Sequence, residues 1–157
     1  MPDQLLIRPA RPDDLADILA LYHDLNPEDV RATAEQREQT FQIMLDQPGL
    51  TILLGFLAGE AVATLTLVIV PNLTRGCASY AMIENVVTLS SCRGRGIGKR
   101  MMENAIDHCW DAGCFKVMLL SGAQNHNAHR FYETLGFKTT KTGFEMRQPG
   151  YAPRRVS

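Results

Sequence analysis

An α+β fold organised around one mixed, mostly antiparallel sheet is what this sequence predicts, and three observations lead there. Two β-branched, apolar-rich runs, Thr51–Leu57 and Glu60–Val70, stand back to back, separated only by Ala58-Gly59, which reads as a tight hairpin. From Tyr80 onward strand-like and helix-like periods alternate instead. Between the two patterns lies Cys92-Arg93-Gly94-Arg95-Gly96-Ile97-Gly98-Lys99-Arg100, three near-consecutive glycines at a strand-to-helix junction. A chain of 157 residues, 45% of them apolar, fits one domain with one sizeable core. That domain is expected over residues 1–147, with 148–157 a loosely attached tail.

Leu5–Arg8 reads as a short first strand, after which Pro12-Asp13-Asp14 opens a helix with proline early and carboxylates in its first turn. Leu15, Ile18, Leu19 and Tyr22 give that helix an apolar face. Asn26-Pro27 breaks the pattern. Thr33-Ala34-Glu35-Gln36 resembles a capping box for a second, mostly polar helix with Phe41, Met44 and Leu45 at helical spacing, ending by Gln47-Pro48-Gly49. After the hairpin and the turn-rich Asn72–Gly76, the run Tyr80–Leu89 leads straight into the glycines. Ile97, Met101, Ala105, Cys109 and Ala112 then share one helical face, and Gly113 stands where a left-handed C-cap is expected. Lys116–Ser121 reads as a strand, His126–Leu135 as a short helix, and Phe137–Met146 as one or two closing strands around Thr142-Gly143. The sum is a sheet of about 6–7 strands flanked by about four helices, mixed and not doubly wound.

The formal charge of −1 offers no general attraction to nucleic acid or to an anionic membrane, so basic character is local to residues 93–100. Cys77, Cys92, Cys109 and Cys114 form no CxxC pair and lack the density of a secreted disulfide scaffold, which implies reduced thiols and a cytoplasmic location. His108, Cys109 and Cys114 match no zinc spacing, and no metal is expected. The start carries no basic and apolar leader, and Ala61 to Pro71 is too short to span a bilayer.

Glycine before a helix lets the main chain approach a ligand closely, and the unpaired N–H groups of the first turn point at negative charge. Phosphate is the natural guest. A dinucleotide fingerprint needs a third glycine where this chain has Lys99, and a P-loop needs Ser or Thr where it has Arg100. What remains is Arg-x-x-Gly-x-Gly, spelled Arg93-Gly94-Arg95-Gly96-Ile97-Gly98. With Asn125-x-x-Ala128-x-x-Phe131-Tyr132-Glu133-x-x-Gly136-Phe137 downstream, the chain resembles the GNAT superfamily of acetyl-CoA-dependent N-acetyltransferases. The resemblance is close over residues 78–138 and holds in outline before them.

The resemblance implies a GNAT-like fold in which a splayed strand pair holds acetyl-CoA, with backbone amides from Gly94 to Lys99 cradling the pyrophosphate. One or two of Arg93, Arg95, Lys99 and Arg100 would assist. Val86, Val87 and Thr88 would offer main-chain groups to the pantetheine arm and thioester oxygen, and Asn125 would fix the pantetheine or cap its own helix. Tyr132 would lie near the sulfur as general acid. Glu84 interrupts an apolar strand just upstream of the loop, so it is a candidate base or substrate ligand, the alternative being a carboxylate that simply sits at the sheet surface or pairs with an arginine. Strand alternation puts Glu84, Val86 and Thr88 on one face. The acceptor is expected to be a primary amine of a small molecule, with a sugar-phosphate amine of the glucosamine-6-phosphate type or a protein amine as alternatives. A non-catalytic acetyl-CoA-binding module is the rival from another class. A homodimer fits the family; nucleic-acid and membrane partners do not fit the charge.

Overall fold

The computed structural model describes residues 4–154. It comprises two compact units, Met1–Met118 and Leu119–Ser157. In the first, β1 (Leu6–Pro9) leads through a 3-10 turn (Pro12–Asp14) into α1 (Leu15–Leu25) and α2 (Ala34–Asp46). β2 (Leu50–Leu57), β3 (Glu60–Val70), a single turn α3 (Thr74–Cys77) and β4 (Tyr80–Thr88) follow, then a 3-10 turn (Ser90–Cys92), α4 (Ile97–Asp111) and β5 (Lys116–Met118). The second unit carries α5 (His126–Thr134). The sheet order is β1-β2-β3-β4-β5, antiparallel up to β4 and parallel between β4 and β5.

Local chemistry sets these elements. Ala58 and Gly59 take φ of 48° and 83°, the paired left-handed residues that a two-residue hairpin needs. Thr33 Oγ1 accepts from Gln36 N–H at 3.2 Å while Gln36 Oε1 accepts from Thr33 N–H at 3.0 Å, which completes the capping box. Gly113, at φ 78°, ends α4 as expected.

The sheet of the first unit is covered on both sides, which is why β2 and β3 read as nearly unbroken apolar runs. Ile52, Leu54 and Phe56 on one face pack with Ile18 and Leu21 of α1, Phe41 of α2 and Val87 of β4. On the other face α4 lies across β2, β3 and β4, with Met101, Met102, Ala105 and Cys109 wholly buried. Each fully buried Leu or Met contributes about 1.5–3 kcal/mol. A β carbon on Gly55 would stand 2.8 Å from Met101 Sδ, so glycine lets α4 approach. Thr64, paired with Leu54 on the α1 and α2 face, is buried and satisfied, donating to the Leu53 carbonyl at 2.7 Å.

Two places hold stability that a single substitution reveals. Gly49 has φ +82° and its missing β carbon would fall 2.3 Å from the Ile69 carbonyl oxygen, a backbone atom that cannot yield. Replacing Gly49 with Ala is therefore expected to cost at least ~2 kcal/mol, read as a fall in the urea midpoint with an unchanged slope. Asp14 receives Arg8 Nη1 at 2.7 Å and Nη2 at 3.0 Å, and the Arg11 amide at 2.6 Å. The Arg8 hydrogen bond, foremost, holds this carboxyl below its ordinary value against the opposing effect of burial. A carboxyl depressed on folding contributes stability above its unfolded pKa and loses it as pH falls through the folded one. Asp14→Asn should thus lose about 2 kcal/mol at pH 7, with the Tm values of parent and variant converging below about pH 4.

The sheet has five strands, not the expected 6–7, because no strand forms over Phe137–Met146 among the described residues. That run alternates in the manner of a strand, yet only Phe137 is partly buried, while Phe144 and Met146 are almost fully exposed. A strand needs both a backbone partner and an apolar face to cover, and here the pattern has neither. The first strand begins and ends one residue later than expected. The first helix starts as a 3-10 turn at Pro12, and its buried face is Ile18 and Leu21, with Leu19 only partly covered.

Candidate active site

β4 is interrupted at its centre. Thr66 of β3 pairs with Glu84 and Thr64 with Val87, so Asn85 and Val86 together face the single residue Leu65. Asn85 takes φ +53°, the left-handed conformation of a bulge residue. An inserted residue reverses the alternation beyond it. Glu84 therefore shares the Thr64/Thr66 face, toward α1 and α2, with Val87, while Thr88 falls with Ile83 on the opposite face. This corrects the expectation that Glu84, Val86 and Thr88 share one face; period-2 reasoning fails because one extra residue slips the register. Glu84 is exposed, Val86 and Thr88 are partly buried, and Val87 is buried.

β5 meets β4 only over Tyr80–Met82, paired with Lys116–Met118. Beyond Met82 the edge of β4 away from β3 has no ladder partner among the described residues. Main-chain groups around Val86, Val87 and Thr88 thus lie at an open sheet edge, where backbone donors and acceptors remain available to a ligand.

The loop after β4 is pinned from α1. Asp24 accepts from the Ser90 amide at 3.2 Å and from Ser90 Oγ at 3.1 Å, and Arg93 Nη2 lies 3.9 Å from its carboxylate. Arg93 Nε also donates to the Thr88 carbonyl at 3.3 Å. Gly94 and Gly96 follow at φ 73° and 74°. Gly96 is the N-cap of α4 and supplies no side-chain cap; Arg100 N–H bonds its carbonyl at 3.2 Å. The amides of Gly96, Ile97, Gly98 and Lys99 precede that bond, at the positive end of a 15-residue helix. Among the described residues, nothing beyond the adjacent ones lies within 4 Å of where a β carbon on Gly94 or Gly96 would stand. The cradle is open and its floor is backbone.

The four cations of the loop separate by their partners. Arg93 folds back on Thr88 and Asp24, Arg100 donates to the Leu5 carbonyl at 3.3 Å, and Lys99 lies 3.8 Å from Glu103 one helical turn on. Among the described residues Arg95 has no hydrogen-bond or ion-pair partner. It is the guanidinium left for an arriving anion.

In the second unit Asn125 Oδ1 accepts from the Ala128 amide at 3.1 Å and so caps α5. Tyr132 is partly buried, with its ring 5.2 Å from Phe131 and 5.9 Å, edge to face, from Phe137. His129 Nε2 lies 2.8 Å from the Gly122 carbonyl, which ties the turn before α5 to the helix. Sequence reasoning missed Asp24 and Tyr22. Asp24 had no signal at all. Tyr22 was visible only as part of an apolar face, whereas its hydroxyl lies 3.4 Å from Thr66 Oγ1.

The thiols are free, and burial pushes Cys109 up to about 11, which keeps it protonated and unreactive. Among the described residues no group of three His, Cys, Asp or Glu could hold a metal, and no helix is long and apolar enough to cross a membrane.

The model of the acetyltransferase (GNAT) family matches residues 15–137, most of the chain. This protein belongs to the GNAT acetyltransferase family. A solved structure from Agrobacterium tumefaciens str. C58, which carries only a provisional acetyltransferase name, is 50% identical, with 91% of this chain and 99% of that one covered at a TM-score of 0.88. A Bacillus halodurans C-125 structure described as a transcriptional regulator is 28% identical, covering 92% of this chain and 100% of that one at a TM-score of 0.82. Among curated proteins, glucosamine 6-phosphate N-acetyltransferase of Arabidopsis thaliana is 37% identical over 79 residues, 50% of this chain and 51% of that protein. The chain thus spans about half the length of the curated relatives it matches. GNAT membership agrees with the mixed sheet and the glycine cradle at the head of α4.

Proposed function

We propose that this GNAT protein is an acetyl-CoA-dependent N-acetyltransferase that transfers the acetyl group to a primary amine of a small molecule by direct attack. The observation that carries the reading is the cradle. Two left-handed glycines open a 15-residue helix with four amides directed outward and Arg95 unpaired beside them, which suits a pyrophosphate. Backbone from Gly94 to Lys99 holds the diphosphate, Arg95 neutralises part of its charge, and Arg93 keeps the loop in shape. Acetyl-CoA supplies the thioester.

The remaining residues act on the acetyl group and the amine. An alkylamine, with pKa near ~10.4, arrives mostly protonated at neutral pH, so a base must accept its proton before nitrogen attacks the carbonyl carbon. Glu84 takes that proton, directly or through water. Main-chain groups of Val86, Val87 and Thr88 position the pantetheine arm and donate to the developing oxyanion, where one donor is worth roughly 3 kcal/mol. As the C–S bond breaks, the nitrogen, now bonded to carbon, releases its extra proton to solvent, while Tyr132 donates its own to the leaving sulfur and regains one from solvent; Asn125 keeps α5 in register for that role. Products are an N-acetyl amine and coenzyme A. Residues 1–147 act as one N-acetyltransferase domain, in a cytoplasmic protein that forms homodimers.

A sugar-phosphate amine is the second reading of the acceptor, favoured by the name of the Arabidopsis relative. Differential scanning fluorimetry tests the donor. Acetyl-CoA at 100 times its Kd should stabilise the protein by about 2.7 kcal/mol, a Tm rise of roughly 5–10 °C. No rise at millimolar acetyl-CoA contradicts the reading.

A further inference from the structure

The loop between β4 and α4 carries two left-handed glycines, Gly94 and Gly96, and glycine loses more freedom than any other residue when a loop becomes ordered. A diphosphate binds such a loop tightly where the chain is ordered before the ligand arrives. On one side the order comes from α4, fixed in the core through Met101, Met102 and Ala105. On the other, the Leu89 amide donates to the Val62 carbonyl of β3 at 2.8 Å, and the 3-10 turn Ser90–Cys92 begins. The N-cap of that turn is Leu89, whose apolar side chain can accept nothing. Its cap comes from α1 instead. Asp24 accepts from the Ser90 amide on Oδ2 at 3.2 Å and from the Ser90 hydroxyl on Oδ1 at 3.1 Å, and α1 is itself anchored in the core by Ile18 and Leu21. The Cys92 amide then closes the turn on the Leu89 carbonyl at 2.8 Å, and Arg93 Nε reaches back to the Thr88 carbonyl at 3.3 Å. Only Gly94 and Arg95 lie between this held segment and the N-cap of α4. Charge alone does not account for a carboxylate here: Asp24 stands 3.9 Å from Arg93, beside the loop, where a negative charge repels an arriving anion.

We infer that Asp24 is a positioning residue for the donor, capping the 3-10 turn from α1 so that the diphosphate loop is ordered before acetyl-CoA arrives. The inference rests on the acetyl-CoA reading above and concerns binding, not the acyl-transfer step. Asp24 acts through Ser90, so its removal should raise the Kd and KM for the donor and spare kcat.

Asp24→Ala deletes the cap. In isothermal titration it is expected to raise the acetyl-CoA Kd about tenfold, matching the two hydrogen bonds lost, with kcat at saturating acetyl-CoA within about twofold of the parent. Asn caps as well as Asp and carries no charge, so Asp24→Asn should stay within about threefold of the parent Kd. The sign separates this from electrostatics, because deleting a carboxylate that merely repels the diphosphate would make both variants bind more tightly. Ser90→Ala approaches the same contact from the loop, leaves α1 intact and should raise the Kd about threefold. Amide hydrogen exchange at Cys92 should quicken at least ~5-fold in Asp24→Ala, while the Leu53 and Leu65 amides of the β2–β3 ladder stay unchanged. An Ala variant that binds as well as the parent or better, an Asn variant as weak as Ala, an unaltered Kd in Ser90→Ala, a parallel loss of kcat or unaltered exchange would each overturn the inference. If the parent itself binds no acetyl-CoA, the donor reading falls and this one with it; if the parent binds and the variants depart from these values, this inference alone falls.

Discussion

Replacing Gly96 with Ala is expected to weaken acetyl-CoA binding about 100-fold, some 2.7 kcal/mol, while costing the fold only about 1 kcal/mol. The asymmetry is the content of the prediction. In the protein alone a β carbon at position 96 meets nothing within 4 Å beyond the adjacent residues, among those described, so the fold suffers only the strain of φ +74°. The same space lies at the head of α4, where the diphosphate must come close to the amides of Gly96 to Lys99. A methyl group there keeps the anion from its donors. Isothermal titration of acetyl-CoA, with urea unfolding beside it, separates the two costs. Equal losses in both would make the glycine a purely structural requirement.

Glu84→Gln should lower kcat/KM for the amine by 10² to 10³, the usual worth of a positioned base, with the acetyl-CoA-induced rise in Tm unchanged. Gln retains the shape and hydrogen-bonding capacity of the side chain and removes its ability to accept a proton as a carboxylate. Glu84 stands on the α1 and α2 face beside the bulge, exposed, and forms no ion pair among the described residues. Pairing with an arginine is therefore set aside, while a carboxylate that simply sits at the sheet surface is the alternative the variant must exclude. Steady-state rates across pH 6–9 would check the role. A variant with full activity over that range would remove Glu84 from the chemistry and return proton removal to solvent.

Much of this was legible beforehand for a physical reason: glycines, capping residues and apolar periods act locally, and they write themselves into the sequence. Ala58-Gly59, the Thr33–Gln36 box, Gly113 and the glycine run each had a mechanism that operates within a few residues. The bulge at Asn85 did not. Its conformation accompanies the pairing with β3, about 20 positions upstream, and nothing in Ile83-Glu84-Asn85-Val86 announces an extra residue. The grip of Asp24 on Ser90 likewise joins positions 66 residues apart. Over Phe137–Met146 the error ran the other way. Alternation there predicts a strand, but alternation records what a strand can cover, and a ladder also needs a neighbour. The loop cations show the same limit. Arg93, Arg95, Lys99 and Arg100 look equivalent in sequence, and only three-dimensional contacts leave Arg95 unpaired among them.

The central claim is that the cradle, Glu84 and the β4 edge together move an acetyl group to an amine. Release of coenzyme A thiol, followed colorimetrically over a panel of small primary amines that includes glucosamine 6-phosphate, tests it most directly. At least one amine should accelerate release by 100-fold or more over the amine-free rate, with an N-acetylated product by mass. Firm acetyl-CoA binding with no acceleration by any amine would contradict the account and mark the chain as a coenzyme-binding module.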